Sequence, residues 1–273
     1  RQRMKLFKVL AVSILALFVL TACAEWQTTS TAQSRSPVID RILDRGELVV
    51  GTMGKMPPLN MTTKDGNLIG LEVDLVRSMA AAMDVKYRFE TMAFSDLLPA
   101  LRAGKVDMVL SGMTITPDRN LKVAFVGPYF ISGKAILTKI KTLAQADEAS
   151  DINKSDTKLV ALKGSTSQAF VEAFIPKATL FTAADYDEAV SMVLKDEVHA
   201  MIADYPICVV SVFRYPQAGL LSMITPLTYE PIGIAVPAGD PLLVNWLENF
   251  LAATEDSGRL DALREKWFTG GSW

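Results

Sequence analysis

The chain has 273 residues, 50% of them hydrophobic, with 28 Lys and Arg against 30 Asp and Glu and a formal net charge of −2. No long basic or acidic run is present, so there is no electrostatic footprint for nucleic acid or for an anionic membrane surface. His199 is the single histidine and Cys23 and Cys208 the two cysteines, which argues against a histidine-based metal site, a Ser-His-Asp relay and an internal disulfide.

At the N-terminus Arg1, Arg3, Lys5 and Lys8 precede an apolar stretch, Val9 to Leu20, that is too short for a comfortable transmembrane helix. Leu20-Thr21-Ala22-Cys23 closes it with a small residue and a cysteine. The spacing resembles a bacterial lipobox and implies a signal peptide over residues 1–22, lipidation of Cys23 and a mature chain tethered outside the cytoplasm. Residues 23–36 are rich in Thr, Ser and Gln; such a segment buries too little apolar surface to order itself and reads as a flexible tether. Folding is expected to begin near Pro37.

Leu48 to Thr52 reads as a strand and Asp65-Gly66 as a hairpin turn. Leu71, Leu75, Met79 and Met83 fall four apart, with Val76 and Ala80 beside them, as the buried stripe of a helix. Val85, Tyr87 and Phe89 alternate as a strand, Ser95-Asp96 reads as the cap of a second helix ending at Gly104, and Val106 to Leu110 as a central strand. The order then repeats: strand Lys158 to Leu162, a Gly164-Ser165-Thr166-Ser167 loop into a helix, strand Thr179 to Phe181, a helix started by Asp185 with Glu188, and strand Ala200 to Ala203. Two α/β lobes with largely parallel sheets follow.

Ser132-Gly133-Lys134 and Ile224 to Pro231 interrupt the periodicity and read as crossings between lobes. Ile232 to Val236 and the helices near Pro241 to Thr254 and Gly258 to Phe268 have no counterpart in the second series, so they are expected to return to lobe 1. The boundaries are lobe 1 over 37–131, lobe 2 over 132–224, and lobe 1 again over 225–273. Cys208, among Ile207, Val209 and Val210, reads as a buried inert thiol, and His199 as a residue near a strand end.

Ligands of open α/β sheets collect at the carboxyl ends of strands. Those ends carry Ser111-Gly112-Met113-Thr114 and Asp204, with Thr116 as helix N-cap, Pro117 at the first helical position and Arg119 beyond. Arg119 offers a bidentate fork to a carboxylate, and Thr114 and nearby amides add donors. Asp204 offers the opposite charge to an ammonium group, so a zwitterion bridging the two draws the lobes together.

Gly70-Leu71-Glu72-Val73-Asp74-Leu75, Leu97-Leu98-Pro99-Ala100-Leu101, Gly104-Lys105-Val106-Asp107 and the run Ser111 to Arg119 closely resemble the family 3 solute-binding proteins of polar amino acid ABC transporters. Agreement runs from about Leu48 to Phe268. The resemblance implies an α/β fold, the two-lobed type II periplasmic-binding-protein fold with two crossing hinge strands. It implies a monomer without cofactor or metal that takes an L-amino acid as ligand and an ABC transporter permease as partner. Carried over by residue, Arg119 and Thr114 bind the α-carboxylate, helped by the backbone around Thr166 and Ser167. Gly112 presents its carbonyl and Asp204 its carboxylate to the α-ammonium, Phe94 stacks on the ligand side chain, and Lys163 lines the pocket wall. At the first loop, where many members carry an acidic residue and an aromatic, this chain has Met53 and Met56, which with Met113 make the pocket apolar and adaptable. Lys55 and Lys163 are the residues that would meet an acidic ligand.

Two other readings compete with transport. Cyclohexadienyl dehydratases resemble these binding proteins, but the glutamate that follows the Asp204 position in that family is replaced here by Ile207, which cannot act as a general acid; the expectation is therefore no enzyme activity. A sensory adaptor, docking on a receptor in place of a permease, has the same sequence requirements as a transport protein.

Overall fold

The computed structural model describes residues 36–223 and 226–269. The signal segment, Cys23 and the tether before Ser36 lie outside the described residues. So do Ile224 and Thr225 within the second crossing.

The β-branched run predicted near Leu48 forms β1 (Glu47–Thr52), buried along its length after Glu47 as strands covered on both faces are. A small antiparallel sheet follows, β2 (Lys55–Met56), β3 (Asn60–Thr62) and β4 (Leu68–Ile69), with Asp65-Gly66 in the connection between the last two. The helix Leu71–Ala82 buries Leu71, Leu75, Val76, Met79 and Ala80 of the predicted stripe, while Met83 lies past its end as the C-cap and is half-buried. Next come β5 (Lys86–Thr91), β6 (Met108–Val109), β7 (Ala124–Ser132) and β8 (Lys134–Thr138), then β9 (Lys158–Leu162), β10 (Thr179–Ala183), β11 (Ala200–Asp204), β12 (Leu221–Ser222) and β13 (Glu230–Val236).

These strands make two five-stranded sheets of similar plan, β5-β1-β6-β13-β7 and β10-β9-β11-β8-β12. In each, three strands pair parallel, β5, β1 and β6 or β10, β9 and β11; the fourth, β13 or β8, runs against them, and the fifth, β7 or β12, pairs antiparallel with the fourth and so runs with the first three. The predicted parallel character therefore holds for the repeated strand-helix-strand series. The antiparallel pairs come from the crossing segments, which enter each sheet from the hinge. The helices Pro241–Asp256 and Arg259–Phe268 pack on the first sheet's side, where Trp267 Nε1 and Lys266 Nζ donate to Asp74 Oδ2 at 3.0 and 2.6 Å.

Two local expectations are corrected. The strand expected over Val106 to Leu110 is regular only at Met108–Val109, although the Asp107 and Leu110 N–H groups still donate to Val49 O and Gly51 O at 2.8 and 3.2 Å. Ser95-Asp96 is not a side-chain cap. A 3-10 turn, Phe94–Asp96, leads into the helix Leu97–Arg102, and Asp96 has φ and ψ of −93° and −13°, helical and not the extended conformation of an N-cap, and its side chain makes no capping hydrogen bond.

At the hinge the backbone passes from β7 to β8 through Gly133 alone. A Cβ on that residue would stand 2.2 Å from Thr228 O and 2.5 Å from Pro226 Cβ. The two crossing segments approach that closely because nothing projects between them, and Leu227 N–H then donates to Lys134 O at 2.7 Å. Gly133→Ala is expected to push the crossings apart and destabilise the chain by about 1–3 kcal/mol, as overpacking does elsewhere; thermal or urea unfolding of the variant measures it.

Candidate ligand-binding site

The carboxyl-end loops of the two sheets face each other. From lobe 1, the 111–119 segment turns into the short helix Pro117–Asn120, whose N-cap Thr116 accepts from Arg119 N–H at 3.3 Å, as predicted. This turn aims the Arg119 side chain back along its own loop. Its Nη1 donates to Thr114 O at 2.8 Å, its Nη2 to Gly164 O of lobe 2 at 3.3 Å, and its Cζ lies 5.6 Å from the centre of the Phe94 ring. Burial lowers the Arg119 pKa from its ordinary value, against the opposing pull of the Asp204 and Glu230 charges.

From lobe 2, Ser165 caps the helix Thr166–Phe174 by accepting from Gln168 N–H at 3.2 Å. Thr166 Oγ1 comes to 3.3 Å from Thr114 Oγ1, and it donates to Glu230 Oε2 at 3.2 Å. Ser167 is fully buried and its Oγ has no hydrogen-bond partner. Asp204, at the end of β11 and 8% exposed, accepts from Lys134 Nζ at 2.7 Å. Nearer the cleft mouth, Lys55 of lobe 1 pairs with Asp185 of lobe 2 at 2.6 Å.

Met53, Met56, Phe94 and Met113 are all buried. One apolar cluster runs through them from Leu97 and Val109 in lobe 1 to Ala203 and Ile207 in lobe 2. The cavity bounded by Met56, Leu59, Ser132, Asp204, Pro206, Ile207 and Ile232 measures only about 10 Å³. A much larger groove, about 1090 Å³, lies beside the helices Tyr205–Arg214 and Arg259–Phe268, but it is mainly apolar and contains none of the polar groups named above.

Nine of the ten ligand residues singled out from the sequence therefore gather around one cleft: Met53, Met56, Phe94, Gly112, Thr114, Arg119, Thr166, Ser167 and Asp204. Lys163 does not join them; its side chain is exposed, and its backbone N–H donates to Ala183 O at 2.9 Å. Three residues were missed as site residues. Two are Lys134 and Glu230: Lys134 lies between Asp204 and Glu230, its Nζ 2.7 Å from Asp204 Oδ1 and 3.4 Å from Glu230 Oε2. Their only sequence signal is a charge heading an otherwise apolar strand.

The third, Glu72, was legible only as part of a motif. Its Oε1 accepts from Gly112 N–H at 2.7 Å and from the Tyr129 hydroxyl; its Oε2 accepts from Asn60 Nδ2 at 2.6 Å, and Asn60 Oδ1 in turn accepts from Gly54 N–H at 2.8 Å. One buried carboxyl thus ties both lobe 1 loops of the cleft to crossing strand β7. Gly112 is held at φ +57°, a conformation that favours glycine, and a Cβ there would meet Met56 Cε at 2.6 Å.

The fold and this cleft, with opposite charges and helix starts converging from two lobes, define a two-lobed solute-binding protein. The chain matches the model of the bacterial extracellular solute-binding proteins, family 3, over residues 48–270, and it belongs to that family. It is 26% identical over 269 residues to the ABC transporter glutamine-binding protein GlnH of Bacillus subtilis (strain 168), covering 96% of this chain and 97% of that one. Among solved structures, a putative binding component of an ABC transporter from Wolinella succinogenes complexed with lysine is 38% identical with a TM-score of 0.80, covering 84% of this chain and 98% of that one. The ancestral amino acid-binding protein AncCDT-1, a precursor of cyclohexadienyl dehydratase, is 36% identical with a TM-score of 0.78, covering 85% of this chain and 99% of that one.

Burial raises the Glu72 pKa above the ordinary carboxylate value, outweighing the bonds from Tyr129, Gly112 and Asn60 that lower it. The native state therefore holds this proton more tightly than the unfolded chain. The resulting stability is complete below the unfolded pKa and is lost as pH rises through the folded one. The unfolding free energy of the wild type relative to Glu72→Gln is expected to be greatest at acid pH and to decline towards neutrality; urea titrations across that range test it, and a pH-independent difference would refute it.

Proposed function

We propose that the chain is a lipid-anchored extracytoplasmic binding protein that captures an L-amino acid between its lobes and delivers it to the permease of an ABC transporter. The observation that carries this reading is the Arg119 guanidinium, held from both lobes and close enough to Asp204 and Glu230 for their charges to act on it. A ligand carboxylate takes the Arg119 fork in place of the Thr114 and Gly164 carbonyls that fill it here, with the Thr114 hydroxyl as a further donor. The start of the helix Thr166–Phe174 and the unpartnered Ser167 hydroxyl add further donors. The ammonium belongs at Asp204, with the Gly112 carbonyl as a second acceptor.

Met53, Met56, Met113 and Phe94 suit an apolar ligand side chain, because thioethers reshape around varied apolar groups without offering a counter-charge. Ligand contacts to both lobes exist only when the lobes are together, and that difference is what closes such a cleft. The Leu20 to Cys23 motif supports anchoring through Cys23, and residues 23–36 serve as the leash. The dehydratase reading draws on a 22% identical relative, the cyclohexadienyl dehydratase of Pseudomonas aeruginosa, but Ile207, 2% exposed at the cleft wall, has no proton to donate.

A thermal-shift screen of residues 36–273 against the proteinogenic amino acids, dicarboxylates and prephenate is expected to raise the melting temperature with a set of L-amino acids by mass action. Prephenate turnover would establish the enzyme instead. Arg119→Ala is expected to weaken amino acid binding by about 2–5 kcal/mol, the cost of truncating one partner of a buried charge pair; unchanged affinity in calorimetry overturns the assignment. For the full chain, Cys23→Ser is expected to move the protein from the membrane to the soluble fraction.

A further inference from the structure

We propose that Lys134 is a specificity-determining residue that sets the charge of the ammonium subsite and selects amino acids with uncharged side chains over dibasic ones. This rests on the amino acid reading above. Lys134 is fully buried at the first position of β8, and its register partner across the antiparallel pair is Asp204. Their contact at 2.7 Å therefore lies within one sheet of one lobe and does not depend on how far the lobes are apart.

The second carboxylate, Glu230, lies at the start of β13, near the end of the return crossing. It is 3.4 Å from Lys134 Nζ and accepts from the hydroxyls of Thr166 and Thr228 at 3.2 and 3.0 Å. One ammonium thus faces two carboxylates, and the cluster has an excess of a single negative charge. Arg119 supplies the single positive charge opposite. A zwitterion placed between them leaves every charge matched.

A side-chain ammonium or guanidinium adds a positive charge that nothing in this arrangement neutralises, and the methionines and Phe94 around the side chain offer none. Removing Lys134 would leave two uncompensated carboxylates and make a doubly cationic ligand the better match. At an effective dielectric near 20, one unit charge about 8 Å away changes binding by roughly tenfold or more.

The test measures affinities of L-leucine and L-arginine by calorimetry for the wild type, Lys134→Gln, Glu230→Gln and the double variant, with unliganded melting temperatures as folding controls. The wild type is expected to prefer leucine. Lys134→Gln should move the leucine-to-arginine ratio towards arginine by roughly tenfold or more, and the double variant, which restores the single excess charge, should return it. Should Lys134→Gln fail to fold, Glu230→Gln carries the test with 4-methylpentanoate, which is leucine without its ammonium. The neutralised cluster should weaken leucine by roughly tenfold or more relative to that acid.

A wild type that binds arginine as tightly as leucine, an unchanged ratio in Lys134→Gln, or a double variant that keeps the altered ratio overturns the role of Lys134 while leaving amino acid capture standing. If no amino acid binds the wild type, both readings fall.

Discussion

Charge neutrality inside a closed interlobe cleft is the constraint from which most of this structure follows. Taking Arg119, Lys134, Asp204 and Glu230 out of water is costly for each and tolerable only if they face one another and their remaining hydrogen bonds are met. The fold meets that demand by drawing each charge from a different place. Arg119 comes from a short helix after the β6 loop, Asp204 from the end of β11, Lys134 from the start of β8 and Glu230 from the start of β13. Two of these are crossing segments, so the hinge is a wall of the site as well as a link between lobes. Gly133 matters for the same reason: it lets the crossings lie close enough for Lys134 to reach Glu230.

A second buried carboxyl organises the lobe 1 half. Glu72 lies in the first turn of the helix Leu71–Ala82, yet its side chain is used to hold Gly112, Tyr129 and, through Asn60, Gly54. The loops that border the cleft are thereby fastened to the helix and to β7, the first crossing strand. Each loop has a positive-φ glycine where it meets this network, and Gly112 packs against Met56. The polar side of the cleft and its methionine side are consequently positioned by the same contacts. Across the cleft, Arg119 to Gly164, Thr114 to Thr166 and Lys55 to Asp185 are formed between residues of different lobes, so they depend on the lobes being together.

The parts of this arrangement legible in the sequence are those governed by local rules. The four-residue spacing of Leu71, Leu75 and Met79 gives a helix wherever it is placed, Thr116-Pro117 starts one, and the β-branched run at Leu48 has the composition of a doubly covered strand. Nine of the ten candidate residues read from the sequence gather at the cleft because they sit at or near strand ends or helix starts, positions that the order of elements already defines. Lys163 shares that position, but its side chain is exposed, and spacing along a loop does not determine which way a side chain leaves it.

The sequence by itself determined the two α/β lobes, the strand-helix-strand series repeated in each, the family and the placing of Arg119 and Asp204 at or just beyond strand ends, because each depends on periodicity, capping or a contiguous motif. Only the tertiary structure decided the balance of charge between them. Lys134 and Asp204 are 70 positions apart, and Glu72 and Gly112 are 40 apart. Such pairs arise from strand register and crossing geometry, which bring distant residues together without leaving a local pattern in the chain.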